Sequence, residues 1–358
     1  MKTPLIILFI FISGLTYGQT EETSQYHRLT VYGKAEDNGN SFHRIDTTRY
    51  PNIPGNVKRL LTNGAGLFVS FKSNSEYVKA KWCVTSRGVS PNMTAIAYKG
   101  LDIYIKNKEG KWQFAGSGNP ATKECNEYTL VDHMDSSEKE FLLYLPLYDE
   151  VKSLEVGVSN AAEFQELENP FKKQILVYGS SIAQGASASR PGLAYPAQLS
   201  RSTGLNFINL GLSGSAKIEP AVADMIAPMQ ADLFILDFVP NSTADIVAER
   251  TESFIKKIRS EHPETPIIIM QSLVRESGFW NQEVGERVRK QNEQIGIEFK
   301  KLQDQGIKNL YFIEGKDLLG DDHEGTVDGT HPTDVGFSRM LEKIQPIVLE
   351  VLKKHKII

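Results

Sequence analysis

At residue 175 the chain changes rhythm, and that change limits its fold more than any other feature. Five short apolar runs, 175–178, 206–210, 233–238, 267–271 and 310–313, are followed by stretches of helical spacing at 194–202, 219–227, 243–261, 283–305 and 334–354. Apolar runs this short, without polar alternation, belong to strands buried on both faces. Strands that alternate with helices make a parallel sheet covered on both sides. Two of the helices carry stop signals, His262-Pro263 and Gln305-Gly306. The second half is therefore expected to be α/β, built on a five-stranded parallel sheet.

The first half reads differently. Runs at 67–71, 77–84, 94–98, 101–105, 111–115, 128–131, 140–147 and 153–158 are rich in β-branched and aromatic residues, and Gly, Asn, Pro and charged residues separate them. Many short strands with no helical period predict an antiparallel β-sandwich. The stretch before residue 50 is polar and weakly patterned. Residues 164–173, which include Pro170, read as a linker. The expected division is a signal segment at 1–18, a β-domain at 19–168 and an α/β domain at 169–358, and a length of 358 residues suits two domains.

The signal segment rests on Lys2, the only charge before Glu21, on an apolar stretch at 5–15 too short to span a bilayer, and on the exit Thr16-Tyr17-Gly18. Export to the periplasm or beyond is expected, with no membrane insertion after cleavage. Cys83 and Cys125 are the only cysteines; in an oxidising compartment they form one disulfide or remain two buried thiols, and the sequence leaves both open. A net charge of −4 without a basic run gives no sign of a nucleic-acid partner.

Ligands of open α/β sheets bind beyond the carboxyl ends of the strands. Four polar features fall there. Ser181 follows the first strand, in the stretch QILVYGSSIAQGAS at 174–187. Gly211-Leu212-Ser213-Gly214 follows the second, Pro240-Asn241 the third, and Asp328-Gly329-Thr330-His331 the fifth. Each has an ordinary explanation: Ser181 and Asn241 as helix-capping residues, Gly214 and Asp328 as turn residues, His331-Pro332 as a helix start. Their convergence on one edge is what those explanations leave out. A serine hydroxyl needs an adjacent base to act as a nucleophile. His331 is the candidate base, and Asp328 would fix its tautomer. The N–H groups of Ser181 and Gly214 and the side-chain amide of Asn241 would receive an oxyanion. Glycine at 214 is expected to permit a close backbone approach.

These four blocks resemble, in order, those of the SGNH/GDSL hydrolases. Gly179-Ser180-Ser181-Ile182 stands for the Gly-Asp-Ser-Leu block, with Ser180 replacing the usual aspartate, and Asn241 lies in a Pro-Asn context. Gly100-Leu101-Asp102-Ile103-Tyr104 is similar to the Gly-x-Asp-Leu-Tyr signature of a β-domain that precedes such domains. Ala183 stands where the nucleophile elbow of α/β-hydrolases requires glycine. The resemblance implies a flavodoxin-like three-layer domain behind a jelly-roll-like β-domain. It also implies Ser181 as nucleophile with Asp328 and His331, Gly214 and Asn241 as oxyanion donors, and no cofactor.

Arg190 and Phe279-Trp280 lie on loops able to border the site; Arg190 would steady a polar substrate, and Trp280 would stack on a sugar ring or an acyl chain. His323 is a rival base. Its acidic surroundings, Asp317, Asp321, Asp322 and Glu324, lack the EF-hand pattern, so a solvated loop is expected and no metal. His27, His43, His133, His262 and His355 are expected to be structural. The expected function is that of an exported serine esterase acting through an acyl-enzyme on small O-acyl esters, chiefly O-acetyl groups of carbohydrates. The expected partner is an acylated small molecule or polysaccharide. The rivals are a lipid or lysophospholipid acylhydrolase, a non-catalytic carbohydrate-binding protein and an acyltransferase. The oligomeric state stays open.

Overall fold

The structure, a computed structural model, describes residues 23–38 and 42–358. The expected signal segment at 1–18 lies outside the described residues. In the second half, strands Lys172–Gly179, Leu205–Gly211, Leu233–Asp237, Ile267–Met270 and Leu310–Ile313 form one parallel sheet. The first strand sits between the second and third, followed by the fourth and fifth, which is the flavodoxin-like order. The two-residue period of the strands divides their side chains between two cores. Leu176, Tyr178, Ile208, Leu210, Phe234 and Leu236 face one layer, packed with Phe254 and Ile258 of helix Ala244–Glu261 and Ile295 of helix Gln282–Asp304. Ile175, Val177, Phe207, Ile235 and Ile268 face the other, against Leu199 of helix Tyr195–Thr203 and Phe337, Met340 and Ile344 of helix Asp334–Lys354. Burying each such side chain contributes roughly 1.5–3 kcal/mol.

The first half is a pair of antiparallel sheets around a core that includes Trp82, Phe71, Phe141 and Leu143. One sheet runs Ser24–His27, Val151–Ser159, Val78–Val84, Cys125–Val131; the other Trp112–Gly118, Leu101–Lys106, Lys139–Tyr144, Phe68–Ser73, Phe164–Glu166. Cys83 lies directly opposite Cys125 on neighbouring strands and the two are disulfide-bonded, which resolves the open choice.

Two expectations need correction, and one helix adds to the expected elements. Residues 94–98 are not a strand: Thr94 accepts the Ala97 N–H at 3.0 Å and caps the helix Ala95–Lys99. Gly55–Leu61 is a helix, and Val57, Leu60 and Leu61 enter the core of the α/β half. The expected linker is strand at both ends, because Phe164–Glu166 pairs with Phe71–Ser73 and Lys172 already begins the parallel sheet.

The halves are joined by buried polar contacts as well as shared cores. Asp102, in the Gly-Leu-Asp-Ile-Tyr segment, takes the Gly192 N–H on both carboxylate oxygens at 3.0 Å, and the Tyr104 hydroxyl donates to it at 3.1 Å. Burial pushes its pKa up to about 6, while Arg201, Arg190 and the Gly192 N–H pull the other way. Arg44, wholly buried, donates to the carbonyls of Asn209 at 2.8 Å, Gly211 at 3.0 Å and Leu60 at 2.6 Å. It thereby braces the end of the second parallel strand from the N-terminal half.

Candidate active site

The central strand ends at Gly179. The Ser180 N–H continues the ladder to the Asp237 carbonyl at 3.0 Å, and the Ser180 hydroxyl caps the short helix Ser181–Gln184 by accepting the Ile182 N–H at 3.2 Å. Ser180 is thus the cap, and Ser181 is left in the first helical position with its hydroxyl directed outward. Beneath it Asp237 is buried with the Tyr195 hydroxyl at 3.2 Å, and burial pushes its pKa up to about 7.

Ser181 Oγ lies 2.9 Å from His331 Nε2, and His331 Nδ1 lies 2.7 Å from Asp328 Oδ2. Asp328 Oδ1 accepts the N–H groups of Thr330 at 3.0 Å and His331 at 2.8 Å. Burial pushes the Asp328 carboxyl up, but the backbone and ring of His331 and the amide of Asn92 outweigh it, so its pKa is lowered. An ionised Asp328 holds the Nδ1–H tautomer, which leaves Nε2 able to take the Ser181 proton.

The three candidate donors follow neighbouring strands at the same sheet edge. Ser181 and Gly214 have backbone N–H groups that donate to no acceptor among the described residues. Asn241 Oδ1 accepts the Ala216 N–H at 3.3 Å, which turns its Nδ2 away from that loop. Thr243 caps the following helix, so Asn241 is released from that duty. The reason expected for glycine at 214 is corrected: a Cβ there would meet nothing within 4 Å, and what calls for glycine is a φ of +66°. The close approach occurs at Gly211, where a Cβ would lie 2.1 Å from the Gln184 nitrogen.

The remaining candidates lie elsewhere. Arg190 faces the N-terminal half, with Nε 3.3 Å from Asp102 Oδ2 and its guanidinium 4.0 Å from the Phe114 ring centroid. His323 pairs with Glu276 at 2.8 Å and sits against Phe279, and no contact joins it to Ser181. Asp322 forms a two-point bridge to Arg339, with both contacts at 2.6 Å. Trp280 is 92% exposed. It follows the turn Glu276–Phe279, which the Ser277 N–H ties to the Gly329 carbonyl of the Asp328 loop at 3.1 Å.

Residues 172–349 match the model of the GDSL-like lipase/acylhydrolase family, and residues 19–164 that of the N-terminus of SGNH-hydrolase-type esterases. A crystal structure described as that of a GDSL-like lipase from Bacteroides ovatus ATCC 8483 is 54% identical, with a TM-score of 0.91, over 92% of this chain and 98% of that one. The chain belongs to the GDSL-like lipase/acylhydrolase family. Two further structures share the fold of this GDSL-like protein at low identity. One is the salicylyl-acyltransferase SsfX3 from a tetracycline biosynthetic pathway, 19% identical, TM-score 0.70, over 93% and 97% of the two chains. The other is a family two carbohydrate esterase from Cellvibrio japonicus, 12% identical, TM-score 0.60, over 92% and 99%. No curated protein matches the sequence.

One contact of this GDSL-like site has no local sequence signal. Asn92, from the N-terminal half, donates from Nδ2 to Asp328 Oδ2 at 2.9 Å across 236 positions of sequence.

Proposed function

We propose that the protein is an exported serine esterase that removes small O-acyl groups, above all O-acetyl groups, from carbohydrates. In this reading His331 takes the Ser181 proton as Oγ attacks the ester carbonyl. The tetrahedral oxyanion is received by the N–H groups of Ser181 and Gly214 and by Asn241 Nδ2. The alcohol leaves with the proton from His331, and water activated by the same imidazole releases the acid from the acyl-enzyme. The observation that carries the proposal is the line Ser181 Oγ, His331 and Asp328, with separations of 2.9 and 2.7 Å, beside unengaged donors. The exposed Trp280 supports a sugar-ring contact near the site, since indole faces stack well on flat apolar surfaces. The contacts of Arg190 with Asp102 and Phe114 favour a role in joining the halves over one in holding substrate.

A second reading, hydrolysis of longer acyl chains, is favoured by a cavity of about 380 Å³ lined in part by Val274, Phe279 and Val288. Arg275, also in its wall, donates to the Pro240 carbonyl at 2.9 Å, next to Asn241. Rates on p-nitrophenyl acetate and octanoate, with acetate release from a panel of acetylated polysaccharides, test the proposal. Faster turnover of acetate and release from at least one glycan are expected. Faster turnover of octanoate with no acetate release would overturn the acetylesterase reading in favour of the second.

A further inference from the structure

Asp328 is unusually well occupied for a carboxylate on a loop. Oδ1 takes the two backbone N–H groups of its own turn, and Oδ2 receives the His331 ring and the Asn92 amide. Asn92 Nδ2 also lies 3.3 Å from His331 Nδ1. With the ring proton on Nδ1 directed at Asp328, that approach joins two donors and is no hydrogen bond. It places the amide and the imidazole side by side on one carboxylate oxygen.

The chain around Asn92 is itself fixed by the α/β half. Its carbonyl accepts the Ser187 hydroxyl at 2.8 Å, and the Thr94 hydroxyl donates to the Ser189 carbonyl at 2.6 Å. The Ser189 N–H in turn binds Asp334 Oδ1 at 2.9 Å, at the start of the helix that follows the His331 loop. Ser187 has a φ of +68°, a left-handed backbone that a non-glycine residue adopts only where its surroundings enforce it. Segments 92–94, 187–189 and 328–334 thus form one clamp.

We propose that Asn92 is a positioning residue, by which the N-terminal half holds Asp328 and, through it, His331 in the geometry that reaches Ser181. The inference rests on the esterase reading above. It gives the N-terminal half a part in the reaction centre, separate from any binding of sugar.

The charged groups around the pair are Arg275, which interacts electrostatically with Asp328; Glu276, engaged by His323; and Asp334, engaged by Ser189. None of them donates a hydrogen bond to Asp328 Oδ2. The amide of Asn92 draws on Oδ2, the carboxylate oxygen that would otherwise serve the imidazolium alone. Removing it leaves more negative charge facing His331, favours the protonated ring and moves the acidic limb of kcat/KM to higher pH.

The test is the pH profile of p-nitrophenyl acetate hydrolysis by the full chain with Asn92→Ala, Asn92→Asp and Ser181→Ala. Asn92→Ala is expected to lower kcat about 10- to 100-fold through misplacement of the ring, with KM within about twofold. Its acidic limb should move upward. Asn92→Asp keeps the shape of the side chain but sets a second carboxylate beside Asp328, and should move the limb further, by about one pH unit. A purely structural Asn92 would scale the whole profile without moving the limb. An inactive Ser181→Ala together with Asn92 variants of wild-type kcat and unmoved limb would overturn this inference alone. Activity retained by Ser181→Ala would overturn the esterase reading and the inference with it.

Discussion

The two walls of the site are built by different means. The Ser181 wall is the end of the central strand: Ser180 is fully buried, Ser181 is 7% exposed, and Arg44 and Gln184 tie the neighbouring loop from below. The opposite wall, residues 325–333, is a loop with a single isolated bridge, Thr326 to Pro332. Polar contacts hold it: Asn92 on Asp328, Ser277 on the Gly329 carbonyl, and Thr333 on the Gly325 carbonyl. Packing fixes Ser181, and hydrogen bonds fix Asp328 and His331. Substitutions on the loop should therefore lose chemistry with little loss of fold, whereas those under the strand end should be felt in stability.

The largest effect expected is on the loop. His331→Ala should lower kcat/KM by about 10⁴-fold or more, since no other base reaches Ser181. Asp328→Asn should cost less, about 10²- to 10³-fold, because an amide oxygen can still accept the Thr330 and His331 N–H groups and keep the turn. Equal losses in steady-state kinetics would break the distinction between holding the ring and tuning it.

On the packed wall, Asn241→Ala should lower kcat by about 10²- to 10³-fold with little change in KM, as for the loss of one oxyanion donor. A change confined to KM would remove Asn241 from that role.

Beneath that wall, Asp237 tests stability. Its folded pKa of about 7 lies above the unfolded value near 3.8, so the native state binds its proton more tightly. The resulting stabilisation is complete below the unfolded value and is lost as pH rises through about 7. Asp237→Asn should therefore gain stability relative to wild type between pH 5 and pH 8 in urea unfolding. An unchanged difference across that range would show that burial does not raise the pKa of this carboxyl.

The smallest effect on chemistry should come from the outer sheet. Replacing both Cys83 and Cys125 by serine should lower unfolding stability by about 2–4 kcal/mol and leave kcat within about twofold. A larger loss of kcat would mean that the N-terminal half couples to the site through this sheet as well.

The α/β half was legible because its strands are largely apolar and its helices carry local marks. Thr333 caps the last helix, and the expected span 334–354 is the one observed. Gly214 and Asn241 could be picked out because each lies in the segment just after a strand, past Gly211 and Asp237. Local composition misled at 94–98, where β-branched and aromatic residues lie in a helix whose Ala97 enters a core shared with the α/β half. The helix Gly55–Leu61 gave little sign of itself because its apolar residues pack on the other half of the chain. Asn92 was invisible for the same reason on a larger scale: its partner lies 236 positions away, and a lone asparagine between Pro91 and Met93 reads as a turn.

The most direct test is covalent. Diethyl p-nitrophenyl phosphate is added to the full chain, and the modified residue is mapped by peptide mass spectrometry, with His331→Ala alongside. One diethylphosphoryl adduct is expected, on Ser181, formed far more slowly in the variant. An adduct on another residue, or an active preparation that takes up none, would contradict Ser181 as the nucleophile.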